Sequence, residues 1–418
     1  MGRRRIPHMI VVIFALRFSA VVGGSDTQTP AKLSPEQLGE DTAFLFEQLE
    51  TVHPDTLAHA SEQRYAKIQS YLREQCRQPL TLQEFYDKIR VALDHLEEGH
   101  TFVHPPLAST PRQQRESARA QLDRALATDS VSRNSYALLQ NPQVCILRYS
   151  ACGLPRELPQ YEAFFARMFA EMRSKGTRGL IVDVRGNGGG FSGTNEALIR
   201  HFARAPFRQF EKIRKRLTPQ ALAFCRSIGV DYGAYLKQAY DTSALSFDPN
   251  ALPEKGEFTA PARFIEPVEG PLRFTGPVSV LVDRGTYSSA QFFASTVQHY
   301  GLATLIGEET LPFALGRQHY GDVVFISLPH SQLTVQISTA ILTITAAGDK
   351  GVTRVVPDYK VAQKKSDTEK NVDTVMSFAL NMLKKRVQKS GRRDDAGAKS
   401  RSTPRSKKPI TAQNSGNS

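Results

Sequence analysis

The chain has 418 residues, of which 40% are hydrophobic and 23% charged, the proportions of an ordinary folded protein with room for two or three domains. Its net charge of +13 sits at the ends: residues 384–418 hold eleven Lys/Arg against two Asp, and Arg3, Arg4, Arg5 and Arg17 supply four more, so the body between is neutral. A neutral body argues against nucleic-acid binding through a basic face.

The first 25 residues have the layout of a secretory signal peptide: a basic MGRRR start, a short apolar run from Met9 to Leu16, and small residues from Ser19 to Ser25. The apolar run is too short to span a membrane, so the expected location is secreted or periplasmic. Cys76, Cys145, Cys152 and Cys225 could form two disulfides in an oxidising compartment, and serve equally well as buried free thiols. Residues 30–106 read as a helical N-terminal domain. Ser34-Pro35-Glu36-Gln37 is a capping box with proline at the first helical position and predicts a helix to about Val52. Thr81-Leu82-Gln83-Glu84 is a second capping box, followed by Phe85, Ile89, Leu93 and Leu96 on one helical face. That helix runs out at Gly99, and His100 to Pro106 continues extended.

Residues 107–142 are a polar connecting segment, helical or loose. From Gln143 the pattern alternates: strand (VCILRY), helix (Tyr161 to Met172), strand (Leu180 to Val184), Gly-rich turn, helix (Thr194 to Phe202). Such alternation predicts an α/β core with parallel strands over 143–385. Residues 206–272 read as an insertion. Val278 to Val282 is a buried strand, and a helix runs from Ala290 to about Tyr300. Val323 to Leu328 and Leu333 to Thr345 form a hairpin, and Asp367 to Leu383 a last amphipathic helix. Residues 386–418 are an expected disordered basic tail, able to associate weakly with an anionic surface through charge alone.

Three segments carry chemistry. In Gly285-Thr286-Tyr287-Ser288-Ser289 a serine stands between a strand and a helix N-terminus, where the dipole favours an alkoxide and free N–H groups can hold an oxyanion. Its plainer role would be to cap that helix. His100, past a helix end and beside Gly99, is a candidate general base. Leu180 to Gly190 (LIVDVRGNGGG) is a buried strand entering consecutive glycines, whose N–H groups can converge on an anion. Gly188 or Gly189, with the Ser289 N–H, would form the oxyanion hole for a Ser288 nucleophile. Gly188-x-Gly190-x-x-Gly193 also fits a dinucleotide fingerprint, but no strand ending in an acidic residue follows about twenty residues on. His95, Glu98, His100 and His104 lack the spacing of a zinc site; no metal and no other cofactor is expected.

Together, LIVDVRGNGGG, GTYSSAQFFAS, Gly301 to Glu308, Val52-His53-Pro54-Asp55, Glu98-Gly99-His100-Thr101 and Val356-Pro357-Asp358 resemble the tail-specific (C-terminal processing) serine peptidase family over roughly residues 34–385. The resemblance implies a ClpP/crotonase-like β-α superhelical core with a helical N-terminal domain, and a polypeptide substrate, cleaved near its C-terminus. Dyad members of that family carry a lysine where this chain has Phe313, and no lysine occurs between Ser288 and Lys350. The match is to the tricorn-core-like Ser/His style, without a PDZ domain, through Ser288 and His100. The late acidic member is expected at Asp349, the nearest acidic residue, with Thr345 also in range. Gly99 replaces a serine, Glu98 an aspartate, and Gln291 a glutamate found in dyad relatives. These departures leave a second expectation: a catalytically inactive peptide- or lipid-binding protein of the same fold.

Overall fold

The computed structural model describes residues 31–58, 61–106, 130–141, 143–227, 230–253, 255–313, 318–345 and 353–401. The expected leader, Asp349 and residues 402–418 lie outside them.

Three helices and a small antiparallel pair, β1 (Lys32–Leu33) with β2 (Leu80–Thr81), open the described chain. The first, α1 (Pro35–Val52), starts on the expected capping box, with Ser34 Oγ accepting from Gln37 N–H and the Gln37 side chain accepting from Ser34 N–H. Ser61 caps α2 (Glu62–Gln75), and Thr81 with Glu84 caps α3 (Leu82–Asp94). Leu45 and Leu49 of α1, Leu72 of α2, and Phe85 and Ile89 of α3 are fully buried. They pack on Val324, Leu328, Val335 and Ile337, from an antiparallel hairpin late in the chain. The helical region therefore shares a core with residues more than two hundred positions away, each large side chain contributing about 1.5–3 kcal/mol by leaving water.

The central sheet has strand order β13-β10-β9-β6-β5-β4, formed by β4 (Ser135–Gln140), β5 (Gln143–Arg148), β6 (Gly179–Asp183), β9 (Val278–Val282), β10 (Thr304–Gly307) and β13 (Tyr359–Lys360). All neighbours are parallel except β4 and β5. Every residue of β6 and of β9 is buried, as continuous apolar strands covered on both faces must be. One face carries α4 (Leu158–Ser174), α5 (Gly193–Ile199) and α8 (Ser289–His299). Val375, Ala379 and Leu383 of the last helix, α9 (Thr374–Arg401), cover the other by packing on Val144, Ile181, Leu281 and Ile306.

A second, antiparallel sheet runs β11-β12-β7-β8, from β7 (Phe210–Leu217), β8 (Gly256–Pro261), β11 (Gln318–Ser327) and β12 (Thr334–Ile344). The short strand β3 (Phe102–Val103) adds to β12 through Val103↔Val335 and Phe102↔Gln336. The expected hairpin is β11–β12. Residues 206–272, read as an insertion, instead supply β7, β8 and the helices α6 (Pro219–Ser227) and α7 (Tyr232–Ala239). The alternating burial of β7 matches a strand packed on one face, a period masked in the sequence by Lys and Arg at half its positions. Likewise β4 lies in the polar connecting segment yet forms the edge of the central sheet, where a half-polar strand is tolerated. The expected disordered tail begins as helix, since α9 runs to Arg401; Lys, Arg, Ala and Gln are good helix formers without an apolar face. All four cysteines are free thiols.

Two measurements probe this core. Phe165 of α4 is fully buried, and Phe165→Ala should lower the unfolding free energy by about 3–5 kcal/mol in a urea titration. His104 and His201 are buried, which pushes each down to about 4. Between pH 6.5 and 4 the unfolded chain therefore binds protons that the folded chain refuses. Stability should fall as pH drops through that window, by on the order of 2–3 kcal/mol for each histidine, and His201→Gln should flatten the dependence.

Candidate active site

Strand β9 ends at Val282, and Asp283 then organises the turn. Its Oδ1 accepts the N–H groups of Gly285 and Thr286, and across the gap that of Gly186, each at 2.9 Å. The Tyr287 N–H donates to Asn187 O at 2.9 Å. One carboxylate and one backbone bond thus lock the serine turn to the glycine loop after β6. Ser288 sits at φ 51°, ψ −124°, a sparsely populated conformation for a residue with a Cβ. It immediately precedes α8, but its side chain makes no capping bond. The hydroxyl lies 3.1 Å from His100 Nε2 instead.

His100 reaches that position because β3 is a strand of the second sheet. Two residues after the imidazole the chain is paired to β12, and the bonds continue backward: Gln336 Nε2 donates to His100 O at 2.8 Å, and Ser338 N–H donates to Thr101 Oγ1 at 3.1 Å. Tyr287 stacks on the imidazole with centroids 5.5 Å apart and 12° between planes, and His319 of β11 meets it edge-on at 4.6 Å. Gly99 has φ +79°, and a Cβ there would lie 2.6 Å from Tyr287 Oη. The stacked tyrosine thus fills the space that a serine at 99 would need.

Glu98 is buried at 2% exposure. Its Oε2 accepts the His100 N–H at 3.1 Å, Ser338 Oγ donates to the same carboxylate, and His53 Nε2 stands 3.7 Å from Oε1. Burial works against the charge, but His53, His100 and Thr101 together hold the carboxyl below its ordinary range. His100 is pushed down by burial, a drop that the Glu98 charge and its bond to the backbone partly offset. The ring is accordingly neutral near pH 7 and able to accept the Ser288 proton. Its Nδ1 is buried without a partner among the described residues. Phe313, at the position of a dyad lysine, is buried with its ring 5.9 Å from that of His319.

The glycines divide their work. The Gly189 N–H is donated to Asn187 Oδ1 at 2.9 Å, which removes it from the expected oxyanion pair. Gly188 and Ser289 keep N–H groups without an acceptor among the described residues. Gly189 instead provides room: at φ +104°, a Cβ there would lie 2.8 Å from Ser288 Cβ and 2.9 Å from Ser289 N. Which glycine donates was not legible in the sequence, because it depends on where the Asn187 side chain points. Asp349, the expected acidic member, lies outside the described residues; Thr345 follows β12 with a buried hydroxyl. Gln291 is fully buried and bonds Thr310 Oγ1 and Leu311 O, joining α8 to the segment after β10. The residues missed in the sequence are His53, Tyr287, His319, Gln336 and Ser338. Only His53 carried a signal, in the His53-Pro54-Asp55 motif.

Ser288 and His100 open onto a cavity of about 760 Å³. Its walls include Ile213, Phe224, Phe292, Val324 and Leu342. Lys215 and Asp322 also line it, paired at 2.6 Å, with Tyr235 Oη donating to Asp322, so their charges cancel. Among the described residues no cluster of three or more His, Cys, Asp or Glu could hold a metal ion.

Residues 143–361 match the sequence profile of peptidase family S41. Among solved structures, mature CPAF is similar at 14% identity over 84% of this chain and 97% of that one, with a TM-score of 0.50, a likeness of fold. A candidate peptidase from Parabacteroides merdae ATCC 43184 shares 18% identity over 84% of this chain and 97% of its own, with a TM-score of 0.49. The photosystem II D1 C-terminal processing protease shares 17% over 53% and 42%, with a TM-score of 0.31.

Gly189→Ala tests the close approach of loop to turn. It should lower stability by about 1–3 kcal/mol through backbone strain. It should also abolish the reactivity of the Ser288 hydroxyl towards a fluorophosphonate, whereas Gly39→Ala in α1, where a Cβ meets nothing within 4 Å, should leave that reactivity in place.

Proposed function

The chain belongs to peptidase family S41 and is a hydrolase of polypeptides, and on that premise we propose that it is a serine peptidase working through Ser288 and His100. The observation that carries the reading is the 3.1 Å contact between His100 Nε2 and Ser288 Oγ, made by a serine that leaves its helix uncapped. In the proposed reaction His100 Nε2 takes the hydroxyl proton as Ser288 Oγ attacks the peptide carbonyl. The N–H groups of Gly188 and Ser289, on either side of the nucleophile, stabilise the oxyanion. The protonated imidazole then passes its proton to the leaving amine, and water hydrolyses the acyl-enzyme by the same steps in reverse. The apolar cavity beside the serine favours a substrate with large apolar side chains near the scissile bond. Preference for a polypeptide C-terminus and an acidic third member at Asp349 belong to the same proposal and rest on the family resemblance, and export rests on the signal-peptide layout of residues 1–25.

A fluorophosphonate should label the wild type, and labelling should vanish in Ser288→Ala. His100→Ala should lower kcat/KM on denatured polypeptides by about a hundredfold or more. A folded wild type that neither labels nor cleaves would point instead to a peptide-binding protein. Because His100 must be neutral to act and burial lowers its pKa, activity should fall only below the ordinary imidazole range near pH 6.5. An acid limb above that value would contradict the assignment of the base.

A further inference from the structure

We infer that Glu98 is the positioning carboxylate for His100, acting from behind its main chain and held there as an anion by His53; the inference rests on the Ser288–His100 reading. His100 Nδ1 meets no acceptor among the described residues, so no described carboxylate touches the ring directly. Tyr287 of the serine turn and His319 of β11 pack on the ring, and Ser288 Oγ meets its Nε2. Around it, Gln336 of β12 donates to the His100 carbonyl, Ser338 and His53 stand at Glu98, and Tyr320 of β11 lies within the reach of the Glu98 charge. None of these is acidic in the neutral range. His319 is buried, neither ring nitrogen has a partner among the described residues, and burial together with His100 keeps it far below its ordinary pKa, so it supplies no charge. Glu98 is the remaining anion beside His100.

The arrangement around Glu98 is built to keep it ionised. The Asp55 N–H donates to His53 Nδ1 at 3.1 Å. Nδ1 is therefore the unprotonated nitrogen, and the proton of a neutral His53 sits on Nε2, which faces Glu98 Oε1 at 3.7 Å. The His100 N–H and the Ser338 hydroxyl are the two donors that reach the carboxylate. Two hydrogen bonds and the nearby His53 Nε2, beyond hydrogen-bond range, thus surround a buried charge that lies beside the base. Such a charge favours the imidazolium that forms as Ser288 loses its proton, and so raises the strength of the base. Its bond to the His100 N–H also fixes the backbone from which the ring projects.

The test is the pH dependence of kcat and KM for Glu98→Gln, with rates normalised to fluorophosphonate-reactive sites so that misfolded protein does not count. The acid limb of kcat/KM should move to lower pH by about one unit or more, since the charge favouring protonation is gone. The plateau kcat should drop about ten- to a hundredfold with KM nearly unchanged, because a weaker base remains. Glu74→Gln removes an exposed carboxylate paired with Arg77 at the end of α2 and should leave the limb in place. If Glu98→Gln does not fold, Glu98→Asp should shift the limb the same way by less. A limb unmoved in the Glu98 variants overturns the inference, whatever Asp349→Asn does. Activity surviving in Ser288→Ala would overturn the underlying reading separately.

Discussion

The pairing of β3 with β12 is the contact on which the site depends. It is only two residues long, yet it carries His100 across the face of the second sheet to a serine 188 positions later in the chain. The bonds of Gln336 and Ser338 to His100 and Thr101 extend the ladder into the segment that carries the imidazole. Behind it, the apolar faces of α1, α2 and α3 pack on β11 and β12 and hold the whole helical region against the sheet. A short ladder is weak alone; here burial of large side chains on both sides of it supplies the stability.

The other half of the site is covalent neighbourhood under constraint. Ser288 occupies a backbone conformation that few residues with a side chain adopt, and what holds it is local: Asp283 binds three N–H groups, one of them from the glycine loop, and Asn187 takes the Tyr287 N–H. Strain at Ser288 is thereby offset by hydrogen bonds that also set the distance between the two loops. Asn187 appears twice, since its side chain also claims the Gly189 N–H, while the Gly188 N–H keeps no acceptor among the described residues.

Much of this was legible in the sequence where chemistry is local. Two capping boxes located α1 and α3, and the apolar runs before Gly186 and Asp283 located β6 and β9, because caps and buried parallel strands are written in adjacent residues. Ser288 and His100 stood out through their surroundings: a glycine beside one, a helix start after the other. Where tertiary partners decide, the reading stopped short. The strand β7 was hidden by lysines and arginines that pair across the sheet, as Lys215 does with Asp322 and Arg214 with Glu257. The carboxylate of Glu98 looked like a variant residue in a motif, and only its burial against His53 and Ser338 gives it a role.

The order in which the chain is made acquires a meaning from the β3–β12 pair. A ribosome that has released His100 and Ser288 has still to release residues 334–344, the strand that holds the first against the second. A polypeptide ending before that point carries both side chains but lacks the strand that holds one against the other. The meeting of the two is therefore among the last events that a growing chain can complete.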